Sequence, residues 1–343
     1  LFAASQYFSP IILRDIIESP QVYGATVDYL HWRTYGIFFS FLCVMFRAYY
    51  VGITQTKILT VNSIVMLLSN VALNYCLIFG KGGFPAAGIA GAAIASSVSE
   101  AVSLLFFIIY TSMTADKRKY GFRRAFTLRP HLLKGMLSIS GWTMVQSFIS
   151  VSIWFIFFLA IEHLGERPLA VTNIVRNISA LLIMVISAFA TTAGALISNQ
   201  IGAGEQRCLF KTCGMTLKLT YAILIPLLII LCLFPESVLR AFTDSPSLIA
   251  ASVNSVYVMA SSTLIMAPSF ILFNAVSGTG NTKAGFIMEM ISLAVYTAVI
   301  YYGIIRLKPD VALCWFSEHV YGVTLIFLAW WYLKSGKWRG KKV

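Results

Sequence analysis

Long apolar runs separated by short polar turns dominate the hydrophobic pattern of this chain. Each run has about 20 residues or more, the length that an α-helix needs to cross a hydrocarbon layer of ~30 Å. The pattern predicts an all-α, polytopic membrane protein with nine complete transmembrane helices and an apolar remnant at the start. The predicted spans are about 30–53, 58–80, 86–112, 135–160, 169–198, 208–234, 248–277, 284–305 and 311–333, and the remnant is 1–13.

The pattern also contains an internal repeat. Residues 13–57 resemble residues 239–283 at a constant offset of 226, without a gap. The identical pairs cluster at helix boundaries, where backbone geometry restricts the choice of residue. They include Leu13-Arg14 with Leu239-Arg240, Ser19-Pro20 with Ser245-Pro246, Gly52 with Gly278, and Thr56-Lys57 with Thr282-Lys283. Repeated bundles of this size are typical of secondary transporters.

The offset predicts two pseudo-symmetric six-helix bundles, of which the first is truncated. The span that begins near Met136 would have its partner about 90 residues before Leu1, so an intact protein of roughly 440 residues and twelve spans is expected. Leu1 lies inside an apolar run without a basic region, which indicates the end of a span rather than a signal peptide. The expected organisation is a first bundle at 1–113, a cytoplasmic linker at 114–131 and a second bundle at 132–343.

Composition and charge support a membrane protein and fix its predicted orientation. Apolar residues make up 58% of the chain, charged residues only 11%, and the net charge is +13. If the carboxyl terminus is cytoplasmic, most cations fall in inner loops and the tail, which is the positive-inside pattern and requires no nucleic acid partner. The inner set is Lys57, Lys117, Arg118, Lys119, Arg123, Arg124, Arg129, Lys134, Arg207, Lys211, Lys283, Lys334, Lys337, Arg339, Lys341 and Lys342, and the outer set is Arg14, Lys81, Arg167, Arg240, Arg306 and Lys308.

Several segments together carry a resemblance to a known family. Phe46-Arg47 through Gly52, Thr56-Lys57, Asn70 to Tyr75, and the stretch FGKGGFPAAGIAG at 79–91 resemble the fourth to sixth spans of the multidrug and toxic compound extrusion (MATE) transporters. Ala170 and Asn173, followed by LISNQIGAG at 196–204, resemble the end of that family's eighth span.

The resemblance implies a cation-coupled exporter whose two bundles rock about a central cavity and expel amphipathic, often cationic, organic compounds. The expected protein is a monomer in the lipid bilayer of a bacterial cytoplasmic (inner) membrane, without a cofactor, coupled to H⁺ or Na⁺. The family's cation-site acids of the seventh and tenth spans fall near Ser150 and Met266, so neither acid is present in this chain. The first-span acid lies outside it.

Ionisable residues at membrane depth are the main candidates for the cation pathway, because they are costly there and usually face a bundle interior. Glu100 lies beside a seam of small residues at Ala87, Gly91, Ala95 and Ser99. Glu318 is its expected counterpart in the second bundle, and Glu289 shares a polar stripe with Ser292 and Tyr296. Each acid is equally compatible with a structural role, paired with an arginine or hydrogen-bonded.

Two polar stripes at helical spacing extend the candidate pathway. One contains Thr143, Gln146, Ser147 and Ser150, and the other contains Asn173, Arg176 and Asn177. Arg47 and Arg176 are expected deep within spans, where the alternative to a transport role is an ion pair with Glu100, Glu289 or Glu318. Interhelical hydrogen bonding is the alternative for the stripes.

Other function classes fit less well. A flippase for lipid-linked saccharides with a related two-bundle fold would need cationic inward faces for a pyrophosphate, whereas the three acids here roughly balance Arg47 and Arg176. The four histidines lie in no HExxH context, and no GxSxG nucleophile motif occurs, which argues against an enzyme. The six cysteines suggest neither a disulfide framework nor a metal site.

Overall fold

The computed structural model describes residues 2–16, 20–114 and 130–339, and the regular elements in these ranges are all helical. The chain divides into two compact units, Leu1–Leu128 and Arg129–Val343. Unit 1 contains α1 (Phe2–Ile16), α2 (Pro20–Gly52), α3 (Lys57–Phe79) and α4 (Gly88–Thr114). Most of the expected cytoplasmic linker, together with its basic residues, lies outside the described residues.

Unit 2 contains six long helical segments and two short helices. Its elements are α5 (Pro130–Glu162), α6 (Glu166–Gly202), α7 (Leu209–Leu233), α8 (Pro235–Leu239), α9 (Pro246–Gly278), α10 (Thr282–Val299), α11 (Val311–Cys314) and α12 (Phe316–Ser335). A 3₁₀ turn at Gln206–Cys208 leads into α7, and a π-helical segment at Ile300–Arg306 continues α10. Asp310 caps the start of α11 by accepting a hydrogen bond from the backbone N–H of Val311 at 2.8 Å.

Nine helical segments of the described chain are long and apolar enough to cross a membrane. They coincide with the nine spans that the hydrophobic pattern predicts, which confirms the all-α, polytopic fold class. Large apolar side chains cover the outside of the helices, among them Phe148, which is 73% exposed, and Met184, which is 70% exposed. Surfaces of this kind are stable in contact with lipid tails, because lipid imposes no hydrophobic penalty on them.

The internal repeat reappears in the bounds of the helices. Helix α2 and helix α9 are both 33 residues long, and both their first and last residues differ by the same offset of 226. Each begins with proline, which is favoured in the first turn because no N–H is needed there. Each ends with glycine. Helix α10 begins one residue earlier than the offset from α3 requires.

Small residues allow helices within each unit to approach closely. In unit 2, a Cβ atom built on Gly278 of α9 would lie 2.5 Å from the carbonyl oxygen of Gly194 on α6, so the two backbones are in contact. In unit 1, a Cβ atom on Gly91 of α4 would lie 2.5 Å from the carbonyl oxygen of Leu77 on α3. This second contact lies at the seam of small residues on α4, where the lack of a large side chain permits it.

Candidate functional site

A cavity of about 250 Å³ lies within unit 2, among α5, α6, α9, α10 and α12. Its polar lining residues are Ser150, Glu289, Tyr296, Glu318 and Tyr321, and apolar side chains such as Trp154, Ile183, Met266 and Phe270 form the remainder. No lysine or arginine is among the residues that line it. The cavity therefore holds two carboxyl groups without a lining cation.

The two carboxyl groups are held by a reciprocal pair of tyrosines. Tyr321 of α12 donates a hydrogen bond to Glu289 Oε1 on α10 at 2.9 Å, and Tyr296 of α10 donates to Glu318 Oε1 on α12 at 2.7 Å. The two tyrosine rings meet edge to face, with centroids 5.8 Å apart. This arrangement follows from helical spacing, since Glu289 and Tyr296 are two turns apart on α10 and Glu318 and Tyr321 one turn apart on α12.

Glu289 is the more enclosed acid, with only 4% of its surface exposed. Its Oε1 atom also accepts a hydrogen bond from Ser150 Oγ at 2.9 Å. Its Oε2 atom is buried and has no hydrogen-bond partner among the described residues. A buried carboxylate with a bare oxygen is unstable unless a proton or a cation compensates its charge. The geometry therefore provides a place where a proton or cation can bind and leave.

A second cavity, of about 490 Å³, adjoins the first. The two share Trp154, Ile183 and Glu318 as lining residues. The second cavity is also lined by Arg176 and Asn177, so its lining includes a cation, unlike that of the first cavity. Glu318 therefore lines both the acidic cavity and the cavity that contains Arg176.

Arg176 rests on aromatic rings and forms no ion pair with the described acids. Its guanidinium carbon lies 5.1 Å from the ring centre of Phe158 and 5.8 Å from that of Trp154. Both contacts are favourable cation–π geometries. Its Nε atom is buried without a hydrogen-bond partner in the described structure. The expected alternative, an ion pair between Arg176 and one of the three acids, is therefore wrong.

His319 lies beside the acidic cavity and not within its lining. Its Nε2 atom is 2.9 Å from Ser261 Oγ, and its ring stacks on Phe316 with centroids 4.5 Å apart. These contacts describe a half-buried histidine that packs against its own helix and against Ser261 of α9. Neither contact is a hydrogen bond to the carboxyl group of Glu318 or Glu289.

Glu100 occupies a different environment in unit 1. Arg33 of α2 donates to both of its carboxylate oxygens, at 3.0 Å to Oε2 and 2.7 Å to Oε1. Glu100 is buried, whereas the side chain of Arg33 is about a third exposed. The bidentate ion pair joins α2 to α4, which is the structural alternative expected for Glu100, although sequence reasoning did not identify Arg33 as the partner.

Polar residues between α3 and α4 also bond to one another. Asn70 Nδ2 donates to Ser99 Oγ at 3.2 Å, and Asn74 Nδ2 donates to Asn70 Oδ1 at 2.9 Å. Asn62 and Ser103 form a second buried pair of the same kind. The bonds to Ser99 and Ser103 bridge α3 and α4, whereas the bond between Asn74 and Asn70 lies within α3.

The sequence-predicted residues thus fall into two groups. The structure brings Ser150, Glu289 and Glu318 together at one cavity and places Arg176 and Asn177 at the adjoining one. It does not bring the remaining four to these cavities: Gln146, Asn173, Arg47 and Glu100 are outside both linings. Arg47 is exposed and has no ion pair with a described acid, so its expected pairing is wrong.

Tyr321, Trp154 and Arg33 are the residues of these environments that sequence reasoning missed. Tyr321 follows Glu318 by one helical turn, and this spacing was a usable signal. Trp154 likewise follows Ser150 by four residues. Arg33 could not be found in this way, because its partner lies on another helix and their pairing depends on how the helices pack.

The fold and cavities define a polytopic helical membrane protein with a polar site inside one helical unit. A family model described as MatE matches residues 143–302. The curated relatives include an uncharacterized transporter, YisQ, of Bacillus subtilis, 25% identical over 75% of this chain and 56% of the relative. A probable multidrug resistance protein NorM of Thermotoga maritima is also 25% identical, over 80% of this chain and 59% of the relative.

Solved structures share the fold. A MOP superfamily transporter from Pyrococcus furiosus superposes with a TM-score of 0.86 at 15% identity, covering 97% of this chain and 75% of that one. A multidrug resistance MATE family transporter in an outward-facing conformation gives a TM-score of 0.85 at 14% identity, with the same coverage of both chains. The chain is therefore similar to MATE-family transporters in sequence and in fold. It spans only about half the length of the curated relatives it matches. These relatives are named as transporters or as multidrug resistance proteins, which agrees with the prediction that the protein is not an enzyme.

Proposed function

We propose that the protein is a secondary active transporter that exports amphipathic, often cationic, organic compounds by antiport with H⁺ or Na⁺. The observation that carries this proposal is the acidic cavity of unit 2, where Glu289 and Glu318 lie without a lining lysine or arginine. An ionisable group inside a membrane bundle is costly to retain unless it serves a pathway. The names of the NorM relatives, which describe multidrug resistance, point in the same direction.

The cavity also fits a coupling role for its acids. The positions near which the family's usual carboxylates fall, Ser150 and Met266, both line it. Here α10 and α12 supply Glu289 and Glu318 to the same space. A carboxylate surrounded by hydroxyl oxygens can take up a proton, and oxygen ligands also suit a hard cation such as Na⁺. The ligand types therefore support both coupling ions.

The proposal includes location and partners. The protein acts as a monomer in the bacterial cytoplasmic membrane, with lipid around its apolar surface and its carboxyl terminus in the cytoplasm. Support for this orientation comes from the distribution of lysine and arginine between the two ends of the spans.

Transport by the intact protein in proteoliposomes tests the proposal. A fluorescent organic cation is loaded, and a Na⁺ gradient and a proton gradient are imposed separately. We expect at least one gradient to drive dye movement against its concentration, and the effective gradient identifies the ion. Dye movement that is independent of both gradients would contradict antiport.

The alternative function is a flippase for lipid-linked saccharides. The observation that favours it is the second cavity, where Arg176 has no ion pair with an acid of the described residues and can contact a pyrophosphate. In the same vesicles, a flippase would translocate a fluorescent lipid-linked pyrophosphate saccharide without either gradient and leave the organic cation behind.

A further inference from the structure

We propose that the end of unit 2 at which α12 terminates binds the headgroup of an anionic phospholipid. The binding surface is the α12 basic cluster, which consists of the exposed cations Lys334, Lys337 and Arg339. None of the three forms an ion pair with an acid of the described residues. The proposal concerns a lipid partner of the protein and is independent of the compound that the protein transports.

An apolar stripe on α12 leads to this cluster. Val323, Phe327 and Trp330 are spaced at i, i+4 and i+7, so they share one face of the helix, and all three are exposed. Lys334 follows Trp330 by four residues and continues the same face. An exposed apolar face suits contact with acyl chains. Lys334 therefore lies where the acyl-chain surface of α12 ends and the headgroup layer begins.

The ammonium group of Lys334 is held in a defined position. Its Nζ atom lies 4.5 Å from the centre of the Trp330 ring, which is a favourable cation–π distance. Tryptophan is enriched at the level of lipid headgroups, because its ring is amphipathic. A lysine ammonium has three N–H donors, and the face of the ring does not occupy all of them. Donors thus remain for a phosphate oxygen at this depth.

A buried tryptophan fixes the two other cations of the cluster. Gly336 adopts a left-handed φ of 69°, which ends α12 and turns the chain. Trp338 is then only 3% exposed, and its Nε1 atom donates a hydrogen bond to the carbonyl oxygen of Leu333 at 2.9 Å. Lys337 and Arg339 flank this anchored residue, so their backbone positions are set before a lipid arrives.

The same anchor brings the start of α7 into the surface. Trp338 belongs to one apolar cluster with Leu209 of α7. Arg207 and Lys211 lie two residues to either side of Leu209, and both are exposed. Among the described residues, Glu205 is the only acid in the turns at this end of unit 2. The surface around the α12 basic cluster is therefore strongly cationic.

Charge complementarity selects an anionic lipid as the occupant. The phosphate of phosphatidylcholine is accompanied by a quaternary ammonium group, which the cluster repels. Phosphatidylglycerol carries the same phosphodiester without a cation, so its headgroup has a net negative charge. Lysine and arginine residues near a membrane surface attract such lipids. The cluster is thus expected to distinguish lipids by headgroup charge and not by acyl chain.

Lipid binding to the purified intact protein in detergent tests the proposal. Native mass spectrometry gives the dissociation constants of phosphatidylglycerol and phosphatidylcholine with identical acyl chains. The wild-type protein is expected to bind phosphatidylglycerol at least about tenfold more tightly, since each cation near an anionic headgroup contributes about fivefold. Lys334→Gln should weaken phosphatidylglycerol by about fivefold, and Lys334→Arg should retain its binding. The triple variant Lys334→Gln, Lys337→Gln, Arg339→Gln should bind the two lipids about equally.

A matched control removes cations at the opposite end of unit 2. Arg306 lies 5.8 Å from the ring centre of Tyr301, which is a similar cation–π contact, and Lys308 is exposed beside it. Asp310 follows closely and offsets their charge. The double variant Arg306→Gln, Lys308→Gln should therefore leave the lipid preference unchanged.

The outcomes separate a defined lipid surface from general attraction to net charge. Equal affinities in the wild type overturn the proposal, and so does a preference that survives the triple variant, which retains Lys341 and Lys342. Equal loss of preference in the control variant, or equal weakening of both lipids by the triple variant, also overturns it. Excess glycerophosphoglycerol, the soluble headgroup, should not compete; effective competition would indicate a site for a free phosphodiester instead of a lipid.

Discussion

At the scale of single residues, the acids of the two units differ in what compensates their charge. Glu100 faces the guanidinium of Arg33, whereas Glu289 and Glu318 are held by hydroxyl groups of Tyr321 and Tyr296. A hydroxyl donor stabilises a carboxylate without fixing its charge permanently, so a proton or cation can exchange. An arginine carries a permanent positive charge and pairs with the carboxylate directly. The two environments predict different consequences for the same substitution.

Glu289→Gln and Glu318→Gln are each expected to abolish gradient-coupled export, while binding of an organic cation stays within about tenfold of wild type. Glutamine preserves size and hydrogen bonding but removes the change of charge. Dye export under an imposed gradient and dye binding in detergent measure the two effects. Glu236→Gln, at an exposed acid of α8, is the matched control. Normal coupling in both cavity variants would place the coupling site elsewhere.

Glu100→Gln is expected to lower stability rather than coupling. Loss of the carboxylate leaves Arg33 without its partner, at a cost of ~1–3 kcal/mol, reduced because Arg33 is partly exposed and its charge is screened. Thermal unfolding in detergent measures the change.

A double-mutant cycle with Arg33→Gln isolates the pair. The double variant should lose less stability than the sum of the two single variants, because each single change already breaks the same contact. Strictly additive losses would mean that the ion pair contributes nothing to the packing of α2 on α4.

At the scale of helices, the contact between α6 and α9 depends on Gly194 and Gly278. Added side-chain volume there meets backbone, which cannot move aside as a flexible side chain can. Both helices also carry residues of the acidic cavity, Ile183 on α6 and Met266 and Phe270 on α9. The close contact therefore contributes to the dimensions of the site.

Gly278→Ala is expected to destabilise the protein by ~1–3 kcal/mol, the usual cost of overpacking a close contact. Gly202→Ala is the control, because no heavy atom lies within 4 Å of a Cβ placed there and alanine favours helix. Thermal unfolding of both variants in the same detergent makes the comparison. Equal stability of the two variants would show that α6 and α9 can separate at no cost.

At the scale of the whole molecule, the two ends of the spans in unit 2 carry different charge. One end holds Lys134, Arg207, Lys211, Lys283, Lys334, Lys337 and Arg339 with Glu205, and the other holds Arg167, Arg240, Arg306 and Lys308 with Glu162, Glu166, Glu236, Asp244 and Asp310. The first end has the excess of cations. The positive-inside rule therefore predicts that this end faces the cytoplasm.

Thiol labelling of whole cells tests this orientation in a cysteine-free background. An impermeant maleimide should label Lys308→Cys from outside, and should label Lys337→Cys only after the membrane is permeabilised. Both positions are exposed, so access to reagent depends on the side of the membrane alone. The reverse pattern would contradict the proposed orientation and would place the carboxyl terminus outside the cell.

The amino-acid sequence by itself determined the spans, the repeat and the three acids that lie within the spans. Span length follows from the thickness of the bilayer, and side chains that face lipid must be apolar whatever the packing, so the spans can be read from composition and order. The offset of 226 was visible because turns restrict residue type. Glu289 and Ser150 were recognisable as inward-facing because helical periodicity places each in a polar stripe, and Glu318 was recognisable as the counterpart of Glu100.

Only the tertiary structure decided the partners across helices. The sequence equally allowed Glu100 and Glu289 an arginine or a hydroxyl, and the structure gave the first Arg33 and the second Ser150 and Tyr321. The choice of partner depends on how whole helices rotate and cross. This packing results from many weak contacts between segments that are distant in the sequence. Periodicity fixes the face that a side chain occupies, but it does not fix the helix that the face meets.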